Sequence, residues 1–534
     1  MIGNDNAFVN QAADAAARTL TENGANAYRT TQSALVDLFA SIGALRESNR
    51  MQFGRFTDML DLSAAEDATT LAKILFYARD IRGGLGERQV FRDALEHCAK
   101  NHPEVIRPNL RKIPEYGRWD DLLALIGTPL EDEMWAFITE TIKDDMCQIE
   151  NGKPVSLLGK WLPSADTSSR ETRKMGCYAA KKLGYTAHDY KRMVKLLRKH
   201  LPITETQISS NKWDEVKYPG VPSNAMMKYN KAFARHDAER FAQYVNDVKA
   251  GKTKINASTL YPYEIVEKVR YDKDADIYKE MWKHLPNYVD GVNDYLIIAD
   301  TSGSMMGRPM DTAVGLALYF AERNKGAFKD MFLTFSSTPE FVQVPRALPL
   351  DRRICTVMNA RWGGSTNLQA AFQLILDTAK KGNVPAKDMP KSLIIITDME
   401  FDACVEATPA EPDKPATVTR ILVDPMSGLR YSVEVPAPYT PPRRMRADCT
   451  FFESMQKMYA EAGYEMPNVV FWNVNSRNST VHTKADTPNV QLVSGSSPSV
   501  FRSLTECLTM TPYEAMLKIL SVDRYKDIVA GTIG

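Results

Sequence analysis

The chain has 534 residues and a formal net charge of +1, so it is long enough for two or three domains, and global charge selects neither nucleic acid nor a membrane surface as partner. Apolar residues make up 44 % and charged residues 25 %, which excludes a disordered polyelectrolyte. No stretch reaches the roughly 18 uninterrupted apolar residues of a membrane span. No basic-then-apolar leader opens the sequence, and seven scattered cysteines form no CxxC pair. These features point to a cytoplasmic protein and argue against a disulfide framework or a zinc site.

In chain order, residues 1–26 form an N-terminal segment, and 27–290 read as helix after helix. "SALVDLFASIGALR", "TTLAKILFYARDIR", "ERQVFRDALEHCAK", "EDEMWAFITETIKDDM" and "AHDYKRMVKLLRKHL" carry apolar residues at three- and four-residue spacing. Many short helices without strands predict stacked helix pairs, an α-solenoid with HEAT-like repeats. From 291 to 534 the texture changes. "DYLIIAD", "DMFLTFS", "KSLIIITDM", "NVVFWNVN" and "VQLVSG" predict strands that alternate with helical stretches, the pattern of a doubly wound, Rossmann-like α/β domain. Residues 405–447 interrupt it with Pro-rich flanks and an alternating middle that predicts a hairpin turning at "DPMSG".

Asp300 ends the first of these strands, in "IIADTSGSMMG". Ser302 and Ser304 follow on the same loop, so one turn can aim three oxygens at one point. Hard divalent cations take oxygen ligands. Open α/β sheets bind ligands beyond the carboxyl ends of their strands. Two further strand-end loops add oxygens: Thr366 before a helix and Asp398 after "IIIT". The same letters also fit a tight turn followed by a helix cap. No histidine stands in either motif to activate a serine, and no phosphate-binding GxxxxGK[ST] loop is present, so an enzyme is not expected.

DxSxS, a later Thr at a helix start and an Asp after an apolar strand resemble the metal-ion-dependent adhesion site of von Willebrand factor A domains. The resemblance falls on Asp300, Ser302, Ser304, Thr366 and Asp398. It implies bound Mg²⁺, or Mn²⁺ in its place, and a partner carboxylate that completes the coordination.

The helical half carries local basic patches. Residues 171–200 hold nine Lys/Arg against two acids, with Tyr178, Tyr185, His188 and Tyr190 interleaved. Basic side chains neutralise phosphates and aromatics stack on unpaired bases; a solvated helix face with core tyrosines is the alternative. A second patch holds Lys228, Lys231, Arg235, His236 and Arg240 at helical spacing. In a third, Arg79, Arg82, Arg88 and Arg92 have Asp80, Glu87 and Asp93 at hand as ion-pair partners.

A helical-repeat domain followed by an A domain resembles the TROVE-module, Ro autoantigen-like proteins, and especially a TROVE-homologous family labelled as a domain of unknown function. The resembling stretches include "ARDIRGGLGER", "IPEYGRWDDLL", "KWLPSADTSSRETRK", "PSNAMMKYNKAFARHDAERF" and "TPYEAMLKIL". The resemblance implies a helical ring closed by the A domain. It implies binding of small noncoding or misfolded RNA, or single-stranded RNA ends, in a cytoplasmic, monomeric ribonucleoprotein. By that resemblance and the patches above, the RNA-contact candidates are Lys181, Lys182, His188, Lys191, Arg192, Lys195, Lys228, Lys231 and Arg235. The metal site would recruit an acidic protein partner such as an exonuclease. Two other readings fit the sequence: a Mg²⁺-dependent protein-interaction module without RNA, and a structural protein of a virus or mobile element.

Overall fold

The computed structural model describes the chain apart from residues 1–6, 46–52, 202, 273–275, 290–293, 301, 336–337, 361–365, 403–416, 424–429, 437–450, 477–479, 505 and 532–534. Helices dominate the first half, and a six-stranded, mostly parallel sheet forms in the second. Two short strands near the N-terminus, β1 (Arg18–Leu20) and β2 (Asn26–Tyr28), pair antiparallel. The large sheet is built from β3 (Tyr295–Asp300), β4 (Met331–Phe335), β5 (Phe341–Gln343) and β6 (Ser392–Thr397). After the hairpin β7 (Thr417–Val423) and β8 (Arg430–Pro436), β9 (Asn468–Asn473) and β10 (Val490–Ser494) complete it.

The order is β10-β9-β6-β3-β4-β5, parallel throughout except for β5 against β4. β3 and β6 are buried along their whole length. Their unbroken apolar runs suit strands that are covered on both faces. All five strands expected after residue 293 are present. β5 is an addition: its "FVQ" is too short and too exposed to register as a strand, and pairing with β4 sets it. The hairpin expected within 405–447 forms as β7–β8; the rest of that insertion lies outside the described residues.

From the central pair β3/β6 the chain steps outward in both directions. The helix Arg308–Arg323 links β3 to β4, and the helix Phe451–Glu461 precedes β9. Connections of this kind are right-handed as a rule, which would put these two helices on opposite faces. The ligand crevice of such a sheet opens where the winding reverses, here between the carboxyl ends of β3 and β6.

Each helix expected before residue 290 forms, with shifted ends. The longest, Phe53–Arg79, breaks at Asp67, which has extended φ/ψ. The Asp67 carboxylate then accepts the N–H groups of Thr69 and Thr70 at 3.1 and 3.2 Å and caps the second segment. One apolar cluster runs through both halves of the chain. Tyr28 exchanges backbone hydrogen bonds with Val481, so the N-terminal strands reach the C-terminal half. Gly43 lies against Ser494 so closely that a Cβ would come within 2.8 Å of backbone. At the other end of the helical series, the helix Pro262–Tyr271 packs on Arg308–Arg323, and Tyr261 Oη donates to the Leu85 carbonyl at 2.9 Å.

Candidate functional site

Asp300 closes β3 and is fully buried. Its Oδ1 accepts the Ser302 N–H at 2.9 Å, and its Oδ2 accepts the hydroxyl of Thr397 on neighbouring β6 at 2.9 Å. Ser302 and Ser304 bring their hydroxyl oxygens to 2.8 Å from each other. Gly307, at φ +87°, turns the loop into the helix Arg308–Arg323 through a conformation that favours glycine. Asp398, one residue beyond β6, is also fully buried. Met399 then adopts a left-handed φ of +72°, and His482 Nε2 lies 2.9 Å from its carbonyl. That backbone costs a non-glycine residue on the order of 1 kcal/mol or more.

Burial, and then the charge of Asp398 beside it, push the Asp300 carboxyl up to about 7, against the hydrogen bonds from Ser302 and Thr397. No lysine or arginine among the described residues pairs with Asp300. Two carboxylates and two hydroxyls therefore gather at adjacent strand ends, and among the described residues no lysine or arginine offsets the charge of Asp300. This all-oxygen donor set fits Mg²⁺ or Mn²⁺. Ser304 is half-exposed and Met306 beside it is 83 % exposed, so the serine turn is the solvent side of the site.

Thr366 is buried, and its hydroxyl has other company. It accepts from Asn23 Nδ2 at 2.8 Å and lies 2.8 Å from the Glu400 carbonyl and 2.9 Å from Asp402 Oδ1, to which it can donate. The structure therefore joins Asp300, Ser302, Ser304 and Asp398 on two neighbouring strands, and ties Thr366 to the loop after β6. Three contributors went unseen in the sequence: Thr397, Glu400 and Asn23. Glu400 is fully buried; it accepts the Glu22 N–H at 2.6 Å and the Thr480 hydroxyl at 2.9 Å. "TDMEFD" carried a signal for Glu400. "TENG" at 21–24 signalled only a turn, and nothing local reveals that it docks on the rim of this site.

The nine basic candidates in the helical half are all exposed, but they fall into two groups. Lys182 pairs with Glu131 and Asp132, Lys191 with Asp166, and Lys231 with Asp272. Lys181, Arg192, Lys195 and Arg235 have no acidic partner among the described residues; Lys228 lies over the Tyr229 ring, and His188 is exposed. Burial opposes the charge of Glu131, but hydrogen bonds from Tyr178, the Gly127 N–H, Lys182 and Trp135 outweigh it and hold the carboxyl down to about 2. Two of the interleaved aromatics are engaged within the protein. Tyr190 is core, its hydroxyl on the Pro163 carbonyl, and Tyr178 is bound to Glu131. Tyr185 remains exposed. In the third patch the partners also differ from expectation. Arg79 and Arg92 pair with Asp121 and Asp120, while Asp80 takes Arg524 from the far end of the chain.

Comparison with known proteins adds likeness without function. A family model described as a domain of unknown function (DUF7788) matches residues 294–522, the sheet-containing half. A second domain of unknown function (DUF2828) matches 21–141 and 166–291, the helical half. Over 546 residues the chain is 25 % identical to an uncharacterised protein of Acanthamoeba polyphaga mimivirus, covering 94 % of this chain and 87 % of that one.

Proposed function

We propose that this protein is a non-enzymatic scaffold. Its C-terminal half, of von Willebrand factor A type, holds Mg²⁺ or Mn²⁺ through Asp300, Ser302, Ser304 and Asp398, and docks a carboxylate-bearing partner there. One observation carries the reading: the fully buried Asp300 faces a second buried carboxylate and two hydroxyls, and no described cation offsets it. The ion would supply positive charge and an open coordination position. The chain's own residues hold the carboxylates in place through Thr397 and the Ser302 N–H. The strand order and the position of the site where the winding reverses support the A-type reading. Capture of partners with Mg²⁺ or with EDTA, compared with Asp300→Ala, tests it. Partners lost on chelation and in the variant support the proposal; partners retained in both overturn it.

RNA binding on the helical series is the second role, favoured by Lys181, Arg192, Lys195 and Arg235, which are exposed and lack acidic partners among the described residues. Contact of both ends of the helical series with the sheet-containing half supports a closed, ring-like arrangement of a helical solenoid. Affinity for a stem-loop and for single-stranded RNA at low and high salt tests this role. Binding no stronger than that of a neutral control protein at low salt would overturn it.

A further inference from the structure

Three side chains in the helical half converge on one point. Asp61 projects from Phe53–Arg79, His97 from Gln89–Asn101, and His102 stands at the joint before Pro103. His97 Nε2 lies 2.6 Å and His102 Nε2 2.8 Å from the same oxygen, Asp61 Oδ1. The other ring nitrogens have polar neighbours, one at hydrogen-bond distance and one at ion-pair range. Asn101 Nδ2 is 3.2 Å from His97 Nδ1, and Glu104 Oε1 is 3.7 Å from His102 Nδ1. Partners of this kind orient metal-binding imidazoles elsewhere; at Asn101 an amide turn would present its oxygen to an Nδ1–H. The His102 backbone is pinned by its N–H to the Cys98 carbonyl at 2.7 Å. The rings are 15 % and 22 % exposed and the Asp61 side chain 48 %, so the rings are sheltered and the carboxylate side is open.

We propose that Asp61, His97 and His102 form a second metal site, selective for a borderline divalent transition metal with Zn²⁺ preferred. Two imidazole nitrogens and one carboxylate make a donor set that suits Zn²⁺ or Co²⁺ and leaves a position for water, unlike the all-oxygen set at Asp300. On binding, each Nε2 gives its lone pair to the metal, and any proton it carried leaves to solvent. The ion would clip the first long helix to the next, close to Gly531, whose N–H reaches the Glu104 carbonyl at 2.8 Å. Cysteine counting does not reach such a site, because its nitrogen donors come from histidine.

Co²⁺ titration of the full chain, followed by visible d–d absorption, tests the proposal. One equivalent should give d–d bands that Zn²⁺ displaces and Mg²⁺ does not. The double variant His97→Gln/His102→Gln should weaken binding by at least about tenfold, while Asp300→Ala leaves the bands unchanged. Asp61→Asn, which keeps a hydrogen-bond acceptor in place, should also weaken binding and serves if the double variant fails to fold. Absence of bands in the wild-type chain, or bands of full strength in both folded variants, would overturn the site and leave a plain ion-pair cluster.

Discussion

Asp80 and Asp300 are both buried aspartates, and the chain treats them in opposite ways. Asp80, 1 % exposed, receives both the Nε and Nη2 of Arg524, the Tyr525 hydroxyl at 3.1 Å and the Arg82 N–H at 3.0 Å. Asp121, in the same half, holds Arg79 and Arg92. Asp300 receives a hydroxyl and an N–H and faces another carboxylate. Where the chain supplies its own counter-charge, the buried acid is a structural bolt, here between the first long helix and the C-terminal turn. Where no described residue supplies one, as at Asp300, the proposed complement is a diffusible cation.

That contrast breaks most visibly through mutation. Asp80→Ala should strip Arg524 of its partner and cost about 3–5 kcal/mol in denaturant unfolding. A loss below about 1 kcal/mol would mean that the pair is solvated and the comparison is false. His482 sharpens the picture of the region around Asp300. Burial lowers its imidazole to about 4, against the hydrogen bond to Met399. The unfolded chain therefore takes up the proton first as pH falls, and stability should decline from about pH 6.5 towards pH 4, by up to about 3 kcal/mol. His482→Gln should flatten that stretch of the stability–pH curve; an unchanged slope would assign it to other groups.

Asp300→Asn should act in the opposite direction from Asp80→Ala. In metal-free protein near neutral pH it removes a charge that burial and Asp398 disfavour, and should stabilise by about 2 kcal/mol. Mg²⁺ at a hundredfold excess over its Kd should raise wild-type stability by about 2.7 kcal/mol and do nothing for the variant. The smallest effects belong to the basic surface. If RNA binds there, Arg192→Glu and Lys195→Glu should each lower the dependence of log affinity on log salt by about 0.7 or more. Lys182→Ala should change it little, since Glu131 and Asp132 already hold Lys182.

Legibility in the sequence followed the same division. "YLIIAD" and "SLIIIT" announce buried strands, and acids at their ends mark the crevice, because the sheet's own periodicity fixes where those side chains go. Asn23 lies 343 residues from Thr366, and turn chemistry dictates the bend without saying what it touches. The basic patches were legible as exposed, since helical spacing decides exposure. Their pairing was not, because Asp166, Asp272, Glu131 and Asp132 come from other elements. Tyr190 had aromatic chemistry suited to stacking but sits on the apolar face of its helix. Asp61, His97 and His102 share no spacing motif, so only the packing of the two helices brings them together.

On the proposed function, the Asp300 crevice binds a divalent cation. The most direct measurement is Mn²⁺ binding to the full chain by electron paramagnetic resonance, with Mg²⁺ as competitor. One site is expected that Mg²⁺ displaces, absent in Asp300→Ala and retained in His97→Gln/His102→Gln. No bound Mn²⁺ in the wild-type chain, or undiminished binding in folded Asp300→Ala, would contradict it.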